Sequence, residues 1–237
     1  MSTLVLVRHG QASFGAHNYD QLSALGVEQT TALGHELAGR GLRFDRLYVG
    51  PLRRHDQTHA AVAEAYGTRG LAWPEPILVP ELDEHHGMLV MERVLPQLAE
   101  QDDALREVLR QKQAGESAAN QAYLKVFQQV TRRWARGELH VPEHESWADF
   151  KRRVQHGLEQ IRQESGSGAS VAAFTSGGVI AVAVGLALNL DDEQILALSW
   201  IVRNASYTEF LFAPGRFGLS VFNATALGGR PELLTFV

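Results

Sequence analysis

Two apolar runs, Leu4–Val7 and Ala169–Phe174, the second interrupted only by Ser170, stand out along the chain. Each stops abruptly in polar residues and glycine: Arg8-His9-Gly10-Gln11 after the first, Thr175-Ser176-Gly177-Gly178 after the second. Near-continuous apolarity over four to six residues predicts strands buried on both faces of a parallel sheet. Between them the period changes to that of helices. Ser23 is a candidate N-cap, and Leu25, Ala32, Leu33 and Leu37 recur at helical spacing before Gly39 and Gly41. Phe44–Val49 alternates like a short strand, and Leu52–Tyr66 is helical again, with Gly67 as its stop. The order β, loop, α, β, α argues for a parallel sheet joined by right-handed crossovers.

Further along, Ile77–Val79 predicts a third strand that leads into Pro80-Glu81-Leu82-Asp83-Glu84-His85-His86-Gly87. Residues from about 90 to 137 are rich in Gln, Glu, Ala and Arg. There Ala119, Tyr123, Val126, Phe127, Val130 and Trp134 form one helical apolar face, so this stretch reads as a helical insertion. Ser146-Trp147-Ala148-Asp149 resembles a capping box ahead of a helix bearing Phe150, Val154, Leu158 and Ile161. The late apolar strand is followed by an apolar helix, Val179–Leu188. Two antiparallel strands, Ser206–Phe212 and Phe217–Asn223, close the pattern around an Ala213-Pro214-Gly215 turn. The fold expected is α/β: a three-layer α/β/α domain over residues 1–237 with a mostly parallel central sheet, antiparallel C-terminal strands and the helical insertion. No Gly/Ser-rich linker divides it.

Composition narrows the chemistry. The 237 residues carry a net charge of -5 and contain no cysteine. Bulk charge therefore offers nothing to nucleic acid or to an anionic membrane, and thiolate catalysis is excluded. No segment is apolar for long enough to span a bilayer and no secretory leader is visible, so a cytoplasmic location is the expectation. A homodimer is left open by the sequence.

Any bound anion must then be met by a local cluster, and one is available. In a parallel sheet the strand ends share an edge. This brings together Arg8 and His9, then Arg53, Arg54 and His55, then Glu84, His85 and His86, and finally Thr175–Gly178. Guanidinium groups beside a helix N-terminus suit a phosphate. A histidine among such cations is held neutral and nucleophilic, and a nearby carboxylic acid could protonate a leaving oxygen. Equally, an Arg pair at a helix start can be solvated charge, and Thr175–Gly178 can be an ordinary turn. His55 and His59 have the spacing of a metal pair, but no metal is expected, and no cofactor is called for.

Taken together, these segments resemble the histidine phosphatase superfamily, the phosphoglycerate-mutase-like proteins. Leu4–Gly10 resembles the strand and Arg-His-Gly signature. Tyr19–Gly26 followed by Gln29 resembles D-x-L-S-x-x-G-x-x-Q, Gly50–Thr58 resembles S-P-L-x-R-A-x-Q-T, and Leu82-Asp83-Glu84 resembles L-x-E. Asn204–Thr208 and Phe222-Asn223 fit the family's C-terminal strands. The resemblance implies a phosphomonoesterase acting on a phosphorylated small molecule through phospho-His9. In it Glu84 is the proton donor, Arg8 and Arg54 are phosphate clamps, and Gln11, Ser176 and Gly177 complete the phosphate-binding set. The Trp-Asn and Gly-Trp features of glycolytic mutases are missing after Gln11, which favours a phosphatase over a mutase.

The main departure is Ser176, which stands where the family has a second histidine, in S-H-G-G. In addition, His55 replaces a small residue beside Arg54, and Gly87 comes one position early after Glu84. Serine supplies a hydrogen bond without charge, so three readings stay open: a slower enzyme, a site that borrows His55 or His85, or a phosphate-binding protein with little turnover.

Overall fold

A computed structural model describes residues 1–13, 20–114, 119–142, 144–226 and 230–236. Tyr19, part of one motif above, lies outside them. The chain divides into two compact units, one made of Met1–Glu84 with Arg152–Val237 and the other of His85–Lys151.

The first unit is built on a six-stranded mixed sheet. Its strands are β1 (Ser2–Arg8), β2 (Arg46–Val49), β3 (Pro76–Leu78), β4 (Ser170–Thr175), β5 (Ser206–Ala213) and β6 (Arg216–Thr225), in the order β3-β2-β4-β1-β5-β6. The four strands β3, β2, β4 and β1 run parallel, whereas β5 and β6 are antiparallel. Leu4, Leu6 and Val7 have no exposure, nor do Val171, Ala173 and Phe174, as strands covered on both faces require. Val5, Val7, Ala172 and Phe174 pack with Leu33 and Leu37 of α1 (Ala24–Gly39) and with Val62 and Tyr66 of α2 (Arg53–Gly67). Successive strand residues face opposite ways, so Leu4, Leu6, Val171 and Ala173 line the other face. There α7 (Gly177–Leu188) packs against β1.

Most expected elements form, with instructive shifts. β2 is shorter than the alternation suggests: Asp45 accepts from Ser170 N, and Phe44 turns into the core instead of the ladder. β3 covers Pro76–Leu78, an edge position that leaves Ile77 and Leu78 exposed. α7 begins two residues before the apolar run, at Gly177. One helix was not anticipated, α8 (Asp192–Ser199), which starts in a capping box between Asp191 and Gln194. Its short apolar content gives almost no periodic signal.

The second unit is helical, as the composition of the insertion implies. It contains α3 (Gly87–Gln101), α4 (Asp103–Gln113), α5 (Ala119–Ala135) and the first turn of α6 (Trp147–Ser165). Asp102 caps α4 by accepting from Leu105 N at 3.1 Å. Val130 and Trp134 of the expected α5 face are buried, and Tyr123, Val126 and Phe127 are half-buried; the side chain of Ala119 is outside the described set. Trp134 meets Trp147 edge-on with ring centroids 5.6 Å apart, and Phe150 completes the cluster. Among the described residues, no helix of either unit is long and apolar enough to cross a membrane.

Close backbone approach joins β1 to α1. A Cβ on Gly26 would sit on the backbone of Gln11, all three of its nearest atoms lying within 3.0 Å. Backbone cannot move aside as a side-chain tip can, so Gly26→Ala should destabilise by about 1–3 kcal/mol. Gly67, at the last turn of α2, has open space around its Cβ position and no positive φ. There Gly→Ala should stabilise by about 0.4–1 kcal/mol, chiefly by restricting the unfolded chain. Urea unfolding of the two variants against wild type checks both signs.

Candidate active site

The parallel register aligns Arg8 of β1 with Thr175 of β4, and His9 N continues the ladder by donating to Thr175 O at 2.9 Å. The residues that follow the two strands are therefore neighbours. His9 is 4% exposed, and its Nδ1 lies 2.7 Å from Gly10 O. A carbonyl can only accept, so Nδ1 carries the proton and Nε2 presents its lone pair. Arg54 Nε donates to that nitrogen at 3.1 Å. Burial, then the charges of Arg54 and Arg8 and the presence of His55, hold the His9 imidazole well below its ordinary pKa.

The backbone around His9 is held on every side. Its carbonyl accepts from Ala205 N and from Asn204 Nδ2. Gly10 N donates to Thr58 Oγ1 at 3.2 Å, and Gln11 N donates to Gln29 Oε1 at 2.9 Å. Gly10 is required because a Cβ there would overlap Gly26 O. The Gln11 side chain accepts from Ser23 Oγ, the same hydroxyl that caps α1 through Gly26 N. Gln29 also donates to Leu233 O and Thr235 Oγ1, tying the 233–235 segment to this loop.

α2 begins at Leu52, which has no capping side chain of its own. Asp20 supplies the cap from another loop, accepting from Arg53 N at 2.9 Å. The same carboxylate pairs with Arg54 Nη1 at 3.0 Å and so aims that guanidinium at His9. Arg53 is exposed, as its solvated reading allows, while Arg54 is buried. Arg8 Nη1 donates to the carbonyls of Val202 and Phe236. Its Nε stands 3.4 Å from where a Gly177 Cβ would be, so Gly177 lets the start of α7 approach the guanidinium.

Glu84 reaches the same helix start, its Oε2 accepting from Gly178 N at 3.1 Å. The loop behind it is fastened by Thr175 Oγ1 donating to Leu82 O and by Arg153 Nη1 donating to the carbonyls of Glu81 and Asp83. Ser176 is the N-cap of α7 by position, yet its side chain caps no N–H of the helix. Its Oγ lies 2.6 Å from His55 Nε2 instead, with both residues fully buried. Burial and the Arg54 charge push the His55 imidazole down to about 3.

The strand ends thus bring together Arg8, His9, Arg54, His55, Glu84, Ser176 and Gly177. His85 belongs to the helical unit, where its ring packs against Trp134, Trp147 and Phe150. His55 and His59 do not converge: His59 Nε2 accepts from Trp73 Nε1 at 2.9 Å, away from Ser176. Asp20, Thr58 and Asn204 were not singled out as site residues from the sequence. Each lies in a segment that resembles the family's motifs, and that match was the signal available for its place.

Comparison with known proteins identifies the family. The model of the histidine phosphatase superfamily (branch 1) matches residues 4–136 and 92–225. A 2,3-bisphosphoglycerate-dependent phosphoglycerate mutase of Chelativorans sp. (strain BNC1) is 34% identical over 87 residues, covering 34% of this chain and 42% of that protein. The broad-specificity phosphatase YOR283W of Saccharomyces cerevisiae is 37% identical over 65 residues, covering 25% of this chain and 28% of that protein. The matches thus span less than half the length of these curated relatives. The crystal structure of a phosphoglycerate mutase from Bacillus anthracis superposes with a TM-score of 0.62 at 18% identity, over 94% of this chain and 92% of that one, which shows a shared fold. With the family model matched from the first strand to the last, the chain belongs to the histidine phosphatase superfamily, branch 1.

Proposed function

We propose that the protein is a phosphomonoester phosphatase that passes the phosphoryl group through His9 to water. The observation that carries this reading is the His9 imidazole itself. Its Nδ1 proton is fixed on Gly10 O, and its free Nε2 points at the Arg54 guanidinium. A phosphate dianion would take over the Arg54 donor and lie between Arg54, Arg8 and the first turn of α7, where the helix dipole also favours negative charge. His9 Nε2 then attacks phosphorus. The Nε2–P bond forms as the ester P–O bond breaks, and Glu84 gives its proton to the departing oxygen. In the second half Glu84 takes a proton from water, the resulting hydroxide attacks phosphorus, the Nε2–P bond breaks, and phosphate leaves.

Support for hydrolysis over transfer to a second phosphoglycerate comes from the sequence after Gln11, which lacks the Trp-Asn and Gly-Trp features of glycolytic mutases. The substrate class is a phosphorylated small molecule. Ser176 favours one alternative, a phosphate-binding protein with little turnover, and the first experiment below separates the two.

His9→Ala should lower hydrolysis of p-nitrophenyl phosphate by about 10⁴-fold or more while leaving the circular dichroism spectrum unchanged. Equal rates in variant and wild type would sink the reading. Phosphate binding by calorimetry, with no hydrolysis by wild type over hours, would establish the alternative.

Glu84→Gln should slow alkyl phosphates by roughly 10²–10⁴-fold, because their alkoxide needs a proton to depart. The loss on p-nitrophenyl phosphate should be much smaller, since nitrophenolate leaves unprotonated. Equal losses on both would remove Glu84 from the proton-donor role.

Because His9 is held neutral, its own protonation should produce no break in kcat/KM near pH 6.5. Stability follows the opposite course. Below pH 6.5 the unfolded chain protonates His55 while the native state does not until about pH 3, so stability is full above 6.5 and falls as pH drops. His55 alone should remove about 1–2 kcal/mol by pH 5. Denaturation midpoints from pH 7.5 to 5 test this, and a stability that rises on acidification contradicts it.

A further inference from the structure

Two departures from the family pattern lie 121 positions apart in sequence and touch in space. The loop after β4 carries Ser176 where a histidine is expected, and α2 carries His55 where a small residue is expected. Their side chains meet at 2.6 Å, both fully buried, and the His55 ring lies 5.8 Å from the ring of His9, centroid to centroid. The site therefore does hold a second imidazole beside the nucleophile. Its seat is shaped for it, since a Cβ on Gly50 would collide with His55 Nδ1.

Nε2 of that ring lies 2.6 Å from the Ser176 hydroxyl oxygen, and Nδ1 is buried against Gly50. A purely packed core histidine needs no hydroxyl at its Nε2. Burial and Arg54 keep the ring neutral. A phosphoryl dianion beside Ser176 adds the counter-charge that reverses this preference.

Building on the phosphatase reading, we infer that His55 and Ser176 together perform the task of the family's loop histidine. His55 Nε2–H donates to Ser176 Oγ, and the polarised Ser176 hydroxyl donates to a non-bridging phosphoryl oxygen. His55 is thus a positioning residue that acts through Ser176, which touches the substrate. Chained donors of this kind strengthen one another.

The test combines deletion and transplantation, measured on p-nitrophenyl phosphate. His55→Phe keeps a ring and removes the nitrogens; it should lower kcat by about 10²–10³-fold, as should Ser176→Ala. The double variant should lose no more than either single one, because the pair acts as a unit. Ser176→His alone should also lose activity, since a second imidazole meets the space His55 fills. Combining Ser176→His with His55→Ala should return kcat to within about tenfold of wild type, a rescue that mere space-filling by His55→Phe cannot imitate. A wild-type rate in His55→Phe, losses that multiply in the double variant, or a transplant no better than His55→Ala would each overturn the inference. If His55→Phe does not fold, His55→Gln takes its place, with at least a tenfold loss expected and an unchanged rate overturning the pair.

Calorimetry with inorganic phosphate keeps this separate from the phosphatase reading. Weakened phosphate binding in His55→Phe, restored by the transplant, supports the pair even if wild type hydrolyses nothing. Unchanged phosphate affinity in an enzyme that also keeps its rate overturns the pair and leaves the phosphatase reading standing.

Discussion

The constraint on which the site depends is the parallel pairing of β1 with β4. Both strands are too apolar to lie anywhere but in the middle of the sheet, and their register sets Arg8 opposite Thr175. Once that register is fixed, His9 and Ser176 leave the sheet side by side, and α7 begins next to the imidazole. A one-residue slip would turn Leu4, Leu6 and Val7 to the wrong faces of the sheet, so the burial of these side chains enforces the geometry of the polar residues beyond them. The alignment of these polar residues is a by-product of core packing.

A chain with net charge -5 nonetheless gathers two arginines around a neutral histidine. That arrangement is stable because each cation has other partners. Arg54 is paired with Asp20 and Arg8 is bonded to the carbonyls of Val202 and Phe236. The imidazoles are kept uncharged by burial, which limits repulsion among these groups. In the proposed reaction a phosphate would meet donors already oriented.

What could be read in the sequence follows from how local each signal is. The two apolar runs, the helix of Leu25 to Leu37 and the C-terminal strands are periodic patterns carried by neighbouring residues, and they form where expected. The apolar-to-polar switch at Arg8-His9-Gly10 likewise places His9 at a strand end. The hidden parts are long-range. Asp20 caps a helix that starts 33 residues later, Gln29 is bonded to a segment 204 residues away, and the meeting of His55 with Ser176 spans 121 residues. No periodicity connects such pairs, and α8 was missed because eight residues hold too little pattern to register.

Along the sequence Ser176 leaves its loop one imidazole short, because sequence order assigns each residue to its own loop. In the folded unit the relevant quantity is which groups occupy the volume beside His9 Nε2. α2 enters that volume through Arg54, so the next residue along the helix is already within reach, and a histidine there needs only that the opposing loop residue be small. Serine meets that need and keeps a hydroxyl within 2.6 Å of the ring. Exchanging a large residue and a small one across a contact conserves packed volume, the kind of change that close-packed interiors tolerate best. The same argument explains why Gly50 faces the ring: a Cβ there would collide with His55 Nδ1 and displace the imidazole from its seat.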